Sequence, residues 1–310
     1  MIGLTSDELR AVHAAFPGRA VVSLDRLRGG SKKGVYRLTL DDDATGIAYV
    51  WHADEDYWPD AEDSDPDDPF GHASGPDLFA AAHATLSGIG VRVPRLIMRR
   101  GEIALLEDVR GSLEELCRRD PHRAEPVLAR LGDTVRTMHR HRRAWYGRPG
   151  AGQPTEPVEH VVLRRALGQL AESAARVERI ATVRQRIADT LLARHAALAP
   201  RTEYGLIHGE LGPDHVHVDA ADQPVLIDIE GIMFFDVEWE HAFLELRFGA
   251  NYQHFHTGGL DPARLRFYRL AMYLSLVAGP LRLLDGDFPG RAGMTDIVAE
   301  NIARTLAELP

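Results

Sequence analysis

Glu210, His215, Asp228 and Glu230 stand close together late in the chain. They lie within Leu-Ile-His-Gly-Glu-Leu-Gly-Pro-Asp-His-Val-His-Val-Asp (206–219) and Val-Leu-Ile-Asp-Ile-Glu-Gly (225–231). Val216 and Val218 alternate with polar neighbours, and Val225 to Ile227 is a second apolar run beyond a polar turn from Asp219 to Pro224. That pattern predicts a hairpin of two short strands. Folded so, the segment brings Glu210, His215, Asp228 and Glu230 towards one cleft. Carboxylates gathered at one place repel each other unless a cation or a shared proton compensates. The chemistry implied is metal-assisted, with one carboxylate left to act as a base or to orient a substrate. Asp228 closes an apolar run, where burial would be costly without a cation or a strong donor. Glu230 follows two residues on and points to the same side of an extended segment.

The elements that must carry this hairpin change character along the chain. Val21–Leu24, Gly34–Leu40, Gly46–Trp51, Val91–Met98 and Ile103–Val109 read as five strands, with a helix over Asp77–Ile89. Thr5-x-x-Glu8 is a capping box that opens a short helix ended by Pro17-Gly18. From Ser112 the spacing turns helical: 113–119, 124–142, about 161–198, 237–248, 262–284 and a last helix near 296–309. Strands first and helices second predict an α+β fold rather than an alternating one. Between the first two strands, Gly29-Gly30-Ser31-Lys32-Lys33-Gly34 is a turn in which backbone amides can approach phosphate oxygens and lysines can neutralise them. An ordinary flexible hairpin is the competing reading of that turn. The acidic stretch Asp54–Asp68 reads as a solvated loop, and its Tyr57-Trp58-Pro59 as docking back on the strands.

The late segment resembles the catalytic core of the aminoglycoside phosphotransferase family, a branch of the protein-kinase-like fold. That family carries His-Gly-Asp-Leu-x-x-x-Asn and then a strand ending Ile-Asp-x-Glu. Here the motifs stand as His208-Gly209-Glu210-Leu211-Gly212-Pro213-Asp214-His215 and Ile227-Asp228-Ile229-Glu230. The resemblance implies a two-lobed fold, with a nucleotide-binding lobe over 1–108 and a helical catalytic lobe over 109–310. It implies that Glu210 orients or deprotonates a substrate hydroxyl, that His208 supports the loop, and that Asp228 holds Mg²⁺ on the phosphates of ATP. Glu230 and His215 fall in the metal set. The Gly29–Gly34 turn covers the phosphates, and Glu107 and Val109 sit at the hinge beside the nucleotide. Asp236 would cap the following helix, and Glu240 would brace the catalytic loop.

The chain departs from the pattern at four places. Glu210 replaces Asp, which moves the carboxylate by one bond, roughly 1.5 Å. His215 replaces Asn, and imidazole suits softer metals than Mg²⁺. A phosphate contact or a loop-holding role is therefore open to it. A third-strand lysine is missing, with Trp51 taken to stand near its place, and the helix glutamate is missing from Leu78-Phe79-Ala80-Ala81. Lys32 and Lys33 are the only lysines in the chain. They are placed where a lysine on the glycine-rich side can reach the same phosphates, as in the with-no-lysine protein kinases.

The 310 residues suffice for two lobes, and the formal charge of −10 argues against a nucleic-acid binder. The single cysteine, Cys117, excludes an internal disulfide and fits a reducing compartment. Neither a signal peptide nor a membrane-spanning run is evident, so cytoplasm is expected. The function expected is an ATP- and Mg²⁺-dependent phosphotransferase acting on a hydroxyl of a small molecule. A pseudokinase or nucleotide-binding scaffold, and a kinase of a peptide Ser or Thr in modified-peptide biosynthesis, are the alternatives. Acceptor identity, ATP against GTP, and oligomeric state are silent in the sequence.

Overall fold

The structure, a computed structural model, describes residues 5–27, 29–58, 68–72 and 74–309. Most of the acidic stretch, with Pro59, therefore lies outside the described residues. Early in the chain come α1 (Ser6–Ala15), β1 (Val21–Arg26), β2 (Gly34–Leu40), β3 (Thr45–Val50), α2 (Pro76–Gly88), β4 (Leu96–Arg100) and β5 (Ile103–Glu107). Then follow β6 (Gly111–Ser112), α3 (Leu113–Arg119), α4 (Pro121–Arg140), β7 (Arg142–Arg143), α5 (Val158–Arg176), α6 (Glu178–Ala181) and α7 (Arg184–Ala196). The last are β8 (Tyr204–Ile207), β9 (Val216–Val218), β10 (Pro224–Leu226), β11 (Met233–Phe235), α8 (Val237–Phe248), α9 (Pro262–Asp285) and α10 (Arg291–Ala307). The fold is α+β, strands leading and helices following.

Two compact units are formed. The first draws on Met1–Asp65, Phe70–Leu131 and Pro213–Gly231; the second on Pro66–Pro69, Gly132–Gly212 and Ile232–Pro310. In the first, an antiparallel sheet runs in the order β1-β2-β3-β5-β4. Its faces follow from period-two alternation. Tyr36, Leu38, Leu40, Ala48, Val50, Ile103 and Leu105 pack with Ala11 and Val12 of α1 into one core. α1 is fixed by the expected capping box, with Thr5 Oγ1 accepting from Glu8 N–H and Glu8 accepting from Thr5 N–H at 2.7 Å. The opposite face presents Val35, Arg37, Ile47 and Tyr49 to a cavity.

A smaller sheet, β10-β9-β6, completes this unit. The predicted hairpin pairs Pro224 with Val218 and Leu226 with Val216. Its turn is held by Asp219, whose carboxylate accepts from the N–H groups of Ala221 and Gln223, both at 2.9 Å. The 3₁₀ turn Ile229–Gly231 packs against α2.

In the second unit β7-β8-β11 form a sheet, and α9 packs against α5, α8 and α10. The helical stretch expected over 161–198 is broken into three pieces. Val177 adopts an extended conformation (φ −126°, ψ 105°), which suits a β-branched residue better than a helix interior does. Asp236 is the residue before α8, as predicted, but its carboxylate makes no capping hydrogen bond. It is taken up by Arg264 and by Arg201 Nε at 3.0 Å, in a buried network that Tyr268 and Glu159 complete.

Candidate active site

A cavity of about 370 Å³ opens within the first unit, a size suited to a small ligand or cofactor. Leu27, Val35, Ile47, Leu106 and Ile227 give it apolar walls, and Gly29, Gly30 and Lys33 supply one rim. Asp214, His215 and Asp228 lie at the polar end. An apolar slot that leads to a cation and carboxylates suits a flat ring bearing an anionic tail.

Lys33 is the centre of the polar end. It is only 5% exposed, and its Nζ lies 2.7 Å from Asp228 Oδ1 and 2.7 Å from Glu230 Oε1. Its ammonium also stands over the Tyr49 ring, 4.9 Å from the centroid, within cation–π range. Burial alone would drive the proton off, but the two carboxylates outweigh it and raise the pKa. Lys33 also holds the Asp228 carboxyl far below the usual range, with burial opposing and His215 assisting. Asp228 has φ +55°, in the left-handed region that ordinary residues avoid and that is frequent at functional sites. Its carboxylate is 45% exposed.

His215 Nε2 is 3.6 Å from Asp228 Oδ2 and 3.9 Å from Asp214 Oδ2. His217, also on the cavity wall, donates from Nδ1 to the Val109 carbonyl. Burial lowers its pKa, against the bond to Val109. Among the described residues no three His, Cys, Asp or Glu side chains are placed to hold a metal ion by themselves. Asp228 nevertheless fits Mg²⁺, which is usually held by one or two carboxylates together with phosphate oxygens and retained waters. Its oxygen beside Lys33 is already in contact with a cation.

The remaining expected residues divide. Ser31 and Lys32 are engaged outside the cavity. Ser31 Oγ accepts from Trp58 Nε1 at 3.0 Å, Ser31 O accepts from Tyr57 N–H at 2.9 Å, and Lys32 O accepts from Ser74 Oγ at 2.8 Å. Tyr57 and Trp58 thus dock on the glycine-rich turn and pin it. Gly34 packs on Glu55, which is buried and bonded to Tyr36 and to Arg26 Nη2 at 2.6 Å. Glu107 and Val109 line the cavity. The Glu107 carboxylate is taken up by Arg92 at 2.8 Å and 2.9 Å and by Arg95 N–H at 3.0 Å.

Ile47 and Tyr49 face the cavity from β3, whereas Trp51 lies past the strand end against Phe79. Tyr49 is edge-on to Phe79 of α2 with centroids 5.6 Å apart. Sequence reasoning also missed Arg37, which lines the wall and is held by Asp108 through Nε at 2.8 Å. Period-two counting from Ile47 reaches Tyr49 and Trp51 alike; nothing in the sequence pairs Arg37 with Asp108.

His208 and Glu210 belong to the second unit. His208 is buried, and its N–H and that of Gly209 both donate to Glu240 Oε2, the second at 3.2 Å. Burial pushes the Glu240 carboxyl up to about 7 against those backbone bonds. Glu210 is exposed, and its charge is felt by the largely buried Arg165 guanidinium.

The sheet, the glycine-rich turn and an acid in left-handed backbone beside a lysine define a kinase-like fold. A family model described as the phosphotransferase enzyme family matches residues 77–276, and the chain belongs to that family. Among solved structures, it is similar to the choline kinase LicA from Streptococcus pneumoniae, with TM-score 0.65, 13% identity and 97% of each chain covered. A thermostable mutant of aminoglycoside phosphotransferase APH(4)-Ia has TM-score 0.65 and 16% identity, over 93% of this chain and 94% of that one. The fructosamine-3-kinase-like protein from Thermobifida fusca YX-ER1 has TM-score 0.55 and 18% identity, over 98% and 100%. Comparison with curated proteins finds no match. Among the described residues no helix is long and apolar enough to cross a membrane.

Proposed function

We propose that the protein is an ATP- and Mg²⁺-dependent phosphotransferase acting on a hydroxyl of a small molecule, such as an antibiotic or other metabolite. The observation that carries this reading is the contact of Lys33 with Asp228 at the polar end of an apolar cavity. A buried ammonium beside a half-exposed carboxylate is the arrangement that phosphate oxygens and their metal ion require. Solved structures of similar chains support the nucleotide: one is a complex with AMP, another with ADP and spectinomycin.

The chain's own residues divide the work. Apolar walls exclude water from the base, and Glu107 and Val109 border it. Lys33, with the backbone of Gly29 and Gly30, neutralises and orients the phosphates. Asp228 would hold Mg²⁺, with His215 steadying its carboxylate. When bound, the ion supplies charge neutralisation on the oxygens of the transferring phosphoryl group. Glu210 accepts the acceptor hydroxyl's proton late in the transfer. The additional bond in Glu compared with Asp alters the reach of that base, not its chemistry. Cytoplasm is the compartment that supplies such a nucleotide.

The test measures ATP turnover against a panel of hydroxylated acceptors that includes aminoglycosides, choline and Ser-containing peptides. Phosphorylated product from the wild type, lost in Asp228→Ala, supports the reading. ATP binding without any turnover would make the chain a pseudokinase, the reading favoured by the missing strand lysine, the missing helix glutamate and His215. Absence of nucleotide binding would end both.

A further inference from the structure

Resting on that nucleotide-dependent reading, we infer that Glu230 is the anchor of Lys33, a positioning residue and not a metal ligand. Lys33 and Glu230 together perform the holding task that kinase-like chains give to a strand lysine and a helix glutamate. The two carboxylates around Lys33 are equally close but differ in surroundings. Asp228 is 45% exposed and borders the cavity. Glu230 is 5% exposed, does not line the cavity, and neither of its oxygens has a hydrogen-bond partner among the described residues. Lys33 Nζ is the cation that compensates it. Mg²⁺ keeps several waters when protein-bound, and a carboxylate buried to this degree leaves no room for them.

Aromatic rings flank the pair. Tyr49 lines the cavity from β3, and its edge meets Phe79 of α2. The Tyr49 ring then serves Lys33 as a platform. α2 still orients the pair, because it packs on the Ile229–Gly231 turn that carries Glu230. The helix acts through a neighbouring carboxylate in place of its own.

The test is a double-mutant cycle on ATP binding by calorimetry, with EDTA and then with rising Mg²⁺. Lys33→Met and Glu230→Gln are each expected to weaken binding in EDTA by about tenfold to a hundredfold, the scale of one charge-assisted contact. The double variant is expected to bind no worse than either single one. Glu230→Gln leaves the Mg²⁺ midpoint unchanged, whereas Asp228→Asn raises it. Additive losses, or a Mg²⁺ midpoint raised in Glu230→Gln as in Asp228→Asn, would overturn the inference while leaving the phosphotransferase reading intact. A wild type that binds no nucleotide removes both. Should Glu230→Gln not fold, Glu230→Asp with Lys33→Arg reads the same contact. The double variant must then bind better than Glu230→Asp alone, and worse binding counts against the pair.

Discussion

Replacing Gly34 by alanine tests whether the glycine-rich turn is held from beneath. A Cβ at this position would stand 2.6 Å from Glu55 Cδ, 2.7 Å from Tyr36 Cε2 and 2.8 Å from Glu55 Oε1. Glu55 has nowhere to go: it is 2% exposed and bound by Arg26 and Tyr36. Burial and the Glu55 bond push the Tyr36 hydroxyl up to about 12, so the phenol remains a donor to that carboxylate. Overpacking of this kind costs about 1–3 kcal/mol. Displacing Glu55 leaves a buried phenol and a guanidinium with poorer partners, about 1–3 kcal/mol more. Gly34→Ala is therefore expected to lower stability by about 4 kcal/mol in urea unfolding. ATP affinity should fall with it, because Lys33 precedes the altered residue. Glu55→Ala removes two of the three obstructing atoms but also the partner, and is expected to cost about 2–3 kcal/mol. The double variant should lose less than the sum of the two single losses, since only the Tyr36 ring then stands in the methyl's way. Gly34→Ala within 0.5 kcal/mol of wild type, or strictly additive losses in the double, would refute the brace.

Three further outcomes are expected. Glu210→Gln lowers kcat by about two to four orders of magnitude with little change in the KM for ATP, as removal of a positioned base does; steady-state kinetics check it. Arg264→Met lowers stability by about 3–5 kcal/mol in denaturant, because Asp236 and Glu159 are left buried without that cation. The third outcome concerns pH. Burial raises the folded-state pKa of Glu240 from 4.5 to about 7, so between those values the folded state holds a proton that the unfolded state has lost. Its contribution to stability is intact below about 4.5 and diminishes as pH rises towards 7, by at most about 3 kcal/mol. In Glu240→Gln that decline should vanish, as read from unfolding free energies at pH 5 and pH 8.

Much of the first unit could be read in advance because its signals are local. The period-two runs of β2 and β3, the polar turn at Asp219 and the capping box of α1 each need only a few consecutive residues. Asp228 and the glycine-rich turn were legible from residue type in context. Other features depend on contacts across long stretches of chain. Lys33 and Asp228 are 195 residues apart, and no periodicity predicts which of two adjacent lysines turns inward. Trp51 is set near the place of a strand lysine by the resemblance alone, whereas Ile47 and Tyr49 are the β3 residues that line the cavity. Phe79 looked like the loss of a glutamate; only packing reveals it as a partner for Tyr49. Asp236 stands at a helix start, where capping is the local expectation, but a buried arginine from α9 competes for it and wins.

The first unit is assembled from pieces separated by roughly 80 residues of chain, from Leu131 to Pro213. A ribosome adding about 5–20 residues per second needs roughly 4–16 s to cross that interval. Throughout it β6 has no β9 to pair with, α2 has no Ile229–Gly231 turn to cover it, and Lys33 has neither carboxylate. The five-stranded sheet must persist as a partial fold with an apolar slot open to solvent. It becomes complete only when Gly231 has left the exit tunnel. Translation pauses or chaperone contacts in that window would therefore govern yield of the native protein, independently of its final stability.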